Sequence, residues 1–243
     1  MANNYFKFKQ FIVQQDLAAM KVGTDGVLIG AWASADKACN ILDIGTGTGL
    51  IALMMAQKNA EAKIDAIEID EKACEQAKIN FIGSPWSQRL NIIESSLQAF
   101  KSNYKYDLII SNPPYFNNSL KNDCKQRQTA RHTDSLTFSD LLEGVHRLLN
   151  KEGRFCVVLP TDEKENFVEI AQAHNLFLNK LLDMYPTPTK PSKRVLMEFS
   201  FQQKELEEEG MILEEFGRHL YSDKFKQLTG DFYLGFKSKP EDA

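Results

Sequence analysis

The hydrophobic pattern of the chain alternates between short apolar runs and stretches with helical spacing. The clearest helical stretch is Phe138–Leu149, in which apolar residues recur at three- and four-residue steps. Such alternation is typical of a parallel β-sheet with helices on both faces. The apolar runs predict seven strands, near residues 40–44, 64–69, 90–94, 106–111, 154–159, 178–184 and 194–201.

The last two predicted strands differ from the others because a Pro-rich connection, and no helix, separates them. We therefore expect these two strands to be antiparallel. The following run Lys204–Glu209 holds five charged residues and one Leu, which predicts a solvated linker to a short terminal helix. Residues 1–243 are expected to form one domain, with an N-terminal lead-in (1–36) and a short C-terminal extension (202–243).

Composition supports a single globular enzyme domain. The chain has 243 residues, of which 43% are hydrophobic and 26% charged, enough to bury a full core. The longest apolar stretches are far below the roughly 20 residues of a membrane helix, and the first residues lack the apolar core of a signal peptide. Neither the four cysteines nor the four histidines have metal-ligand spacing. We expect a cytoplasmic protein without a metal site.

The motif Asn112-Pro113-Pro114-Tyr115 directly follows the predicted strand 106–111. An amine conjugated to an aromatic ring is a poor nucleophile because its lone pair is delocalised. The Asn112 side-chain oxygen and the Pro113 carbonyl could accept both N–H bonds of such an amine, while the two prolines hold the turn rigid. Tyr115 offers a flat face for a planar substrate. A plain strand-terminating turn remains the alternative interpretation.

A glycine-rich turn, Gly45-Thr46-Gly47-Thr48-Gly49, joins the first predicted strand to a helix-compatible stretch. Glycines in such a turn let backbone N–H groups approach a cofactor closely. The dinucleotide pattern G-x-G-x-x-G fails, because Leu50 occupies the third glycine position. With Asp43 ahead of the turn, this loop suits a sulfonium amino-acid cofactor better than a pyrophosphate.

The second predicted strand ends in acidic residues, Glu68 and Asp70. A carboxylate at the end of a strand, roughly 20 residues past the glycines, is placed to accept both hydroxyls of a ribose. Glu68 is our candidate for this role. Asp70 is also a candidate N-cap for a helix that begins at Glu71.

These three motifs resemble the S-adenosylmethionine-dependent amino-methyltransferases that carry Asn-Pro-Pro-Tyr. The segments Phe6–Phe11, Met20–Trp32 and Asp231–Leu234 further resemble the bacterial tRNA1(Val) adenine-N6 methyltransferases. The resemblance implies an α/β, Rossmann-like methyltransferase fold with a seven-stranded, mostly parallel sheet and an antiparallel last strand. It also implies S-adenosyl-L-methionine as cofactor and tRNA as substrate, modified at N6 of adenine 37 beside the anticodon.

The resemblance places the Lys-Val-Gly-Thr-Asp segment beside the cofactor, with Asp25 near its methionine end. Many relatives bind the cofactor adenine through an acidic residue after the third strand, where this chain has Ser96. The expected catalytic residues are Asn112, Pro113, Pro114 and Tyr115. The expected cofactor-binding residues are Lys21, Gly23, Thr24, Asp43, Gly45, Thr46, Gly47, Gly49, Glu68, Ser96 and Asn112.

Net charge bears on the polyanionic substrate. The formal value is −4, so binding would depend on local clusters of basic residues. Residues 117–133 and 186–194 each carry a net charge of +3, and both follow the carboxyl ends of predicted strands, where open α/β sheets bind ligands. The expected substrate-binding residues are Phe116, Lys121, Lys125, Arg127, Arg131, Lys190, Lys193 and Arg194, and His132 adjoins them.

Three alternatives share some of these motifs. A release-factor glutamine methyltransferase uses the same four-residue motif but carries a helical domain ahead of the core, for which about 35 residues leave no room. A DNA adenine methyltransferase usually needs a recognition domain. A non-catalytic RNA-binding module would be expected to lose cofactor residues, whereas Asp43, Gly47 and Glu68 are all of the competent type. We expect a monomeric tRNA methyltransferase.

Overall fold

The chain forms a mixed β-sheet flanked by helices, and a computed structural model describes residues 3–114 and 136–237. The helices in these ranges are α1 (Thr24–Trp32), α2 (Leu50–Lys58), α3 (Glu71–Ile82), α4 (Phe138–Leu148), α5 (Lys164–Ala173) and α6 (Asp223–Thr229). The strands are β1 (Tyr5–Lys7), β2 (Ile12–Gln14), β3 (Asn40–Ile44), β4 (Lys63–Glu68), β5 (Leu90–Glu94), β6 (Tyr106–Ser111), β7 (Leu149–Pro160), β8 (Phe177–Tyr185), β9 (Arg194–Ser200) and β10 (Glu207–Ile212).

The main sheet of the described chain has eight strands in the order β10-β8-β9-β7-β6-β3-β4-β5. Strands β5, β4, β3, β6 and β7 are parallel neighbours. Strand β9 is antiparallel to both β7 and β8. From β3 the chain proceeds to β4 on one side and later returns to β6 on the other. This reversal is a topological switch point, where open α/β sheets bind ligands at the carboxyl ends of the strands.

Two hydrophobic cores cover the two faces of the sheet. Side chains of a strand alternate between faces, so Ile41 and Leu42 of β3 belong to different cores. Ile41 packs in a core that includes residues of α1 and α2, whereas Leu42 packs in one that includes residues of α4 and α5. The prediction of helices on both faces is therefore confirmed.

All seven predicted strands are present, and β8 and β9 form the expected antiparallel pair. The predicted helix is α4, which begins with a capping box between Thr137 and Asp140. The interpretation of Lys204–Glu209 as a linker was wrong for its second half. Residues Glu207–Ile212 form β10, an eighth strand parallel to β8. The hydrophobic pattern missed it because β10 is an edge strand with exposed acidic side chains at Glu207–Glu209, the first of which pairs with Lys180 of β8.

The N-terminal hairpin β1–β2, which the sequence did not predict, packs against residues near the end of the described chain, Phe232 and Tyr233. The backbone N–H of Lys9 donates to the carbonyl of Phe232 at 2.8 Å. The rings of Phe8 and Tyr233 stack with centroids 6.0 Å apart. This contact explains why Phe8 and Phe232 are buried, since each segment provides apolar surface for the other.

Candidate active site

A cavity of about 600 Å³ lies at the switch point, at the carboxyl ends of β3, β4, β5 and β6. This volume is in the range of small-molecule sites. Six segments that are separate in sequence form its wall. The lining residues are Ala18, Ala19, Met20, Ile44, Gly45, Gly47, Ile67, Glu68, Ile69, Asp70, Ala73, Ser95, Ser96, Leu97, Gln98, Asn112, Pro114 and Leu136.

The glycine-rich loop presents two of its glycines to the cavity. Gly47 has φ +56, a conformation that L side chains rarely adopt, and no atom lies within 4 Å of the position where a Cβ would stand. Gly49, with φ +83, lies outside the cavity wall that the described residues form; a Cβ there would come within 2.5 Å of the Phe81 ring. Gly47 therefore leaves space for a ligand, whereas Gly49 leaves space for helix α3.

Asp43 and Thr46 hold this loop from behind and are not part of the cavity wall formed by the described residues. Asp43 is fully buried. Its Oδ2 accepts hydrogen bonds from the Thr46 hydroxyl at 2.5 Å and the Ala52 N–H at 3.2 Å. Its Oδ1 has no hydrogen-bond partner among the described residues. Asp43 thus fastens the glycine turn to the first residues of α2.

Asp43→Asn is expected to flatten the pH dependence of stability. Burial raises the pKa of Asp43 from 3.8 to about 7, although the bonds from Thr46 and Ala52 lower it. Because this folded-state pKa is raised, the contribution of Asp43 to the free energy of unfolding is fully present below its unfolded pKa. It is lost as the pH rises through about 7. Thermal unfolding across this pH range measures the slope, and Asn cannot titrate.

Asp107→Asn is the control of opposite sign. Burial acts to raise the pKa of Asp107, but hydrogen bonds from Asn150, Asn40 and Cys39 lower it below the usual value. Its contribution is therefore present above the unfolded pKa and lost on acidification. If both variants changed the slope in the same direction, the burial of a protonated Asp43 would not explain the pH dependence.

Glu68 connects the end of β4 to the glycine loop. Its Oε2 accepts the Gly47 N–H at 2.9 Å, and its Oε1 accepts the N–H groups of Ile69 at 2.8 Å and Asp70 at 3.1 Å. The carboxylate lines the cavity. Asp70 accepts the Ala73 N–H at 2.8 Å and so caps α3, which confirms its predicted structural role.

Apolar side chains from the segments that follow β4 and β5 also line the cavity. Ile69 is 55% exposed although it lies between two acidic residues, because its side chain borders the open cavity. Ser96 and Leu97 follow β5 in the same wall, and the Ser96 hydroxyl accepts the Ala99 N–H at 3.2 Å. The sequence interpretation included Ser96 but missed Ile69, Leu97 and Leu136. Ile69 could have been found from the sequence, because it is an apolar residue between two acidic ones, Glu68 and Asp70, at the end of a strand.

The Asn-Pro-Pro motif begins where β6 ends. Asn112 and Pro114 line the cavity, whereas Pro113 is buried behind them. The hydroxyl of Ser111 donates to the carbonyl of Ile44 at 3.0 Å, which ties the end of β6 to that of β3. Tyr115, the fourth expected catalytic residue, lies outside the described residues.

The expected cofactor residues Lys21, Gly23 and Thr24 are exposed and are not part of the cavity wall that the described residues form. The preceding residues, Ala18 to Met20, occupy that wall instead. Helix α1 begins just after Gly23, and its first turn approaches the motif. A Cβ on Gly26 would stand 3.8 Å from the Asn112 amide nitrogen.

The basic residues that we expect to bind substrate, as far as the structure describes them, lie at the carboxyl edge of the sheet. Lys190 and Lys193 are exposed on the loop between β8 and β9. Arg194 instead donates from Nε to the Asp25 carboxylate at 2.8 Å, so its charge is paired with the first turn of α1. The remaining expected substrate residues, Phe116, Lys121, Lys125, Arg127 and Arg131, lie outside the described residues, as does His132.

Residues 3–114 and 136–237 contain neither a candidate metal site nor a candidate membrane span. In these ranges no group of three or more His, Cys, Asp and Glu side chains is placed to hold a metal ion. None of the helices in the same ranges combines the length and apolar character needed to cross a membrane.

Comparison with known sequences gives near full-length matches. The family model of the methyltransferase small domain matches residues 22–177. The chain is 48% identical to a tRNA1(Val) (adenine(37)-N6)-methyltransferase of Bacteroides thetaiotaomicron, over 98% of this chain and 100% of that protein. It is 45% identical to a protein of the same description from Trichodesmium erythraeum, over 97% of this chain and 100% of that protein.

Comparison with solved structures concerns the fold. A predicted O-methyltransferase from Agrobacterium tumefaciens superposes with a TM-score of 0.68 at 16% identity, covering 86% of this chain and 96% of that one. A ribosomal protein L11 methylase from Lactobacillus delbrueckii subsp. bulgaricus gives a TM-score of 0.56 at 15% identity, over 78% and 84% of the two chains. The expected Rossmann-like methyltransferase fold is confirmed, with eight strands in the described sheet where seven were predicted.

Proposed function

Because the chain belongs to the tRNA1(Val) (adenine(37)-N6)-methyltransferase family, we propose that it transfers a methyl group from S-adenosyl-L-methionine to N6 of adenine 37 in tRNA1(Val). One observation carries this proposal beyond the resemblance. The glycine loop, the Glu68 carboxylate and the Asn112 amide line a single cavity at the switch point of the sheet. A tRNA substrate implies a cytoplasmic location.

The cavity wall has the chemistry that S-adenosylmethionine requires. Glu68 is the acceptor for a ribose hydroxyl, since a carboxylate offers about four acceptor positions and three N–H groups occupy three of them, which leaves one. Ile69 and Leu97 supply apolar surface for the adenine, beside the Ser96 hydroxyl. Gly45 and Gly47 leave room for the methionine end. When bound, the cofactor supplies an electrophilic methyl group on its sulfonium sulfur.

The Asn-Pro-Pro-Tyr motif binds and orients the reacting amine. In our proposal the target adenine leaves the stack of the anticodon loop and enters beside Asn112, where it stacks on Tyr115. Stacking of this kind contributes roughly 1–3 kcal/mol, which offsets part of the unstacking cost. The Asn112 oxygen and the Pro113 carbonyl accept the two N–H bonds, so the nitrogen lone pair is drawn out of the ring. Methyl transfer is accelerated by the positioning of the two reactants and by preorganised polar groups.

Methyl-transfer assays on transcripts test this function. The purified protein is expected to form N6-methyladenosine in a tRNA1(Val) transcript, and to form none when adenine 37 is replaced by guanine. Methylation of glutamine in a release factor would instead support the rival family that uses the same motif. Binding of tRNA without methyl transfer would support the non-catalytic module.

Reversing Lys190 and Lys193 to Glu is expected to weaken tRNA binding and reduce its salt dependence. If each lysine contacts a phosphate, each loss lowers the slope of log K against log salt by roughly 0.7–0.9. Lys63→Glu is the control, because Lys63 is an exposed lysine at the opposite, amino edge of the sheet. Equal salt slopes in the double variant and the wild-type protein would show that Lys190 and Lys193 do not contact the tRNA.

A further inference from the structure

One buried amide connects two segments beside the cavity. Asn80 of α3 is 2% exposed. Its Oδ1 accepts the backbone N–H of Gln14 at 2.8 Å, while its Nδ2 donates to the carbonyl of Gln14 at 2.9 Å and to that of Thr48 at 2.8 Å. Thr48 belongs to the glycine-rich loop. Asn80 therefore joins that loop to the N-terminal segment through all of its amide hydrogens.

The N-terminal segment that Asn80 holds forms one wall of the cavity. We call residues 14–22 the strap. Its first part is also held by Gln76 of α3, whose Oε1 accepts the Leu17 N–H at 2.8 Å. Its far end is held within the strap, where the Gln15 Oε1 accepts the Val22 N–H at 2.9 Å. Between these anchors lie the cavity-lining residues Ala18, Ala19 and Met20.

An asparagine is the residue type that this arrangement needs. Asn presents one acceptor and two donor hydrogens within one planar group, matching one N–H and two carbonyls. Aspartate would keep the acceptor but aim an oxygen at both carbonyls, leaving them without a donor in a buried position, which is costly. The strap and the glycine loop would then no longer share a partner.

We propose that Asn80 and Gln76 are positioning residues that set the affinity for the cofactor by fastening the strap across the cavity against the glycine loop. This inference rests on the proposed function, since it concerns the same cavity. Neither residue lines the cavity that the described residues form, so neither is a contact for the cofactor or for the target base. They control how firmly one wall is held and leave the chemistry at Asn112 unchanged.

Asn80→Asp tests the proposal, with Asn179→Asp as a matched control. Asn179 is also buried, at 4% exposure, and its side chain also makes three hydrogen bonds: it donates to Ser200 and to the carbonyl of Gln202 and accepts the Lys204 N–H. It lies near the amino end of β8, away from the cavity. Both variants are expected to lose thermal stability, so stability alone does not distinguish them.

Affinity for S-adenosylhomocysteine, measured by calorimetry, distinguishes them. Asn80→Asp is expected to raise the Kd roughly 10- to 100-fold, the size expected when buried partners lose a hydrogen bond, while Asn179→Asp leaves it unchanged. KM for the cofactor should rise in parallel, with kcat at saturating cofactor within about threefold of wild type. Equal affinities in the two variants would make Asn80 a purely structural residue and overturn the proposal.

The rate of proteolysis within the strap measures directly how firmly the strap is held. Lys21 is an exposed trypsin site within it. S-adenosylhomocysteine is expected to slow cleavage after Lys21 in the wild-type protein and in Asn179→Asp, but not in Asn80→Asp at the same concentration. Protection that is equal in all three proteins would contradict the proposal. A wild-type protein that does not bind S-adenosylhomocysteine would overturn the proposed function itself, a separate outcome.

Gln76→Met provides a second variant in case Asn80→Asp does not fold. Gln76 is fully buried, and its Nε2 has no hydrogen-bond partner among the described residues. Methionine is similar in length and favourable in a helix, so it removes the bond to Leu17 and little else. A rise in Kd of several-fold is expected, with the fold retained. An unchanged Kd in a folded Gln76→Met protein would overturn the role of this second anchor.

Discussion

Gly47→Val is expected to abolish binding of S-adenosylmethionine while leaving the sheet and helices intact. Gly47 has φ +56, which a β-branched residue adopts only with strain. No protein atom lies within 4 Å of the position of an added Cβ, and Gly47 lines the cavity, so the valine side chain would stand in the space proposed for the cofactor. Strain and occupied space act in the same direction, and the reduction in affinity should exceed about 100-fold.

Gly217→Val controls for the loss of stability that a β-branched residue causes at a positive φ. Gly217 also has a positive φ, +121, but it is exposed on the loop after β10 and does not line the cavity that the described residues form. This control should lose some stability and keep wild-type cofactor affinity. Calorimetry measures the affinity and circular dichroism the fold. If folded Gly47→Val bound the cofactor as the wild-type protein does, the loop would be a turn without a role in binding.

The parts of the site that the sequence predicted depend on local pattern. Strands β3, β4 and β6 are short, mainly apolar runs, so their ends could be located, and a candidate residue such as Glu68 or Asn112 stands at or just after a strand end. Parallel strands bring these ends to one edge, which is why three separate motifs could be placed in one cavity.

The parts that the sequence missed depend on partners that only the folded chain supplies. The strap overlaps only the beginning of the segment Met20–Trp32 that carried the resemblance, and its anchors are Asn80 and Gln76, amides whose roles follow from which backbone groups face them. Similarly, Arg194 was counted as a free positive charge, whereas the fold pairs it with Asp25 from the other end of the chain. Strand β10 was missed for the same reason, because its pairing with β8 uses backbone groups and leaves the acidic side chains exposed.

Asn112→Ala is expected to lower kcat strongly with little change in cofactor affinity. The variant removes an acceptor that matters most as the amine nitrogen becomes tetrahedral in the transition state. By analogy with the loss of one oxyanion-hole donor, the barrier should rise by about 2.7–4 kcal/mol, a fall in kcat of roughly 10²- to 10³-fold. The cavity keeps the glycine loop, Glu68 and the apolar wall, so binding of S-adenosylhomocysteine should remain close to that of the wild-type protein.

Ser111→Ala shows whether such a loss reflects chemistry or a disturbed strand end. Ser111 precedes Asn112, is fully buried and donates its hydroxyl to the Ile44 carbonyl, so its removal loosens the same end of β6 without touching the proposed acceptor. Single-turnover rates at saturating cofactor and tRNA should fall far more in Asn112→Ala than in Ser111→Ala, although both lose stability. If the two rates fell equally, Asn112 would act by shaping the turn. A wild-type rate in Asn112→Ala would contradict the proposed mechanism outright, because no other described side chain of the motif carries an amine acceptor.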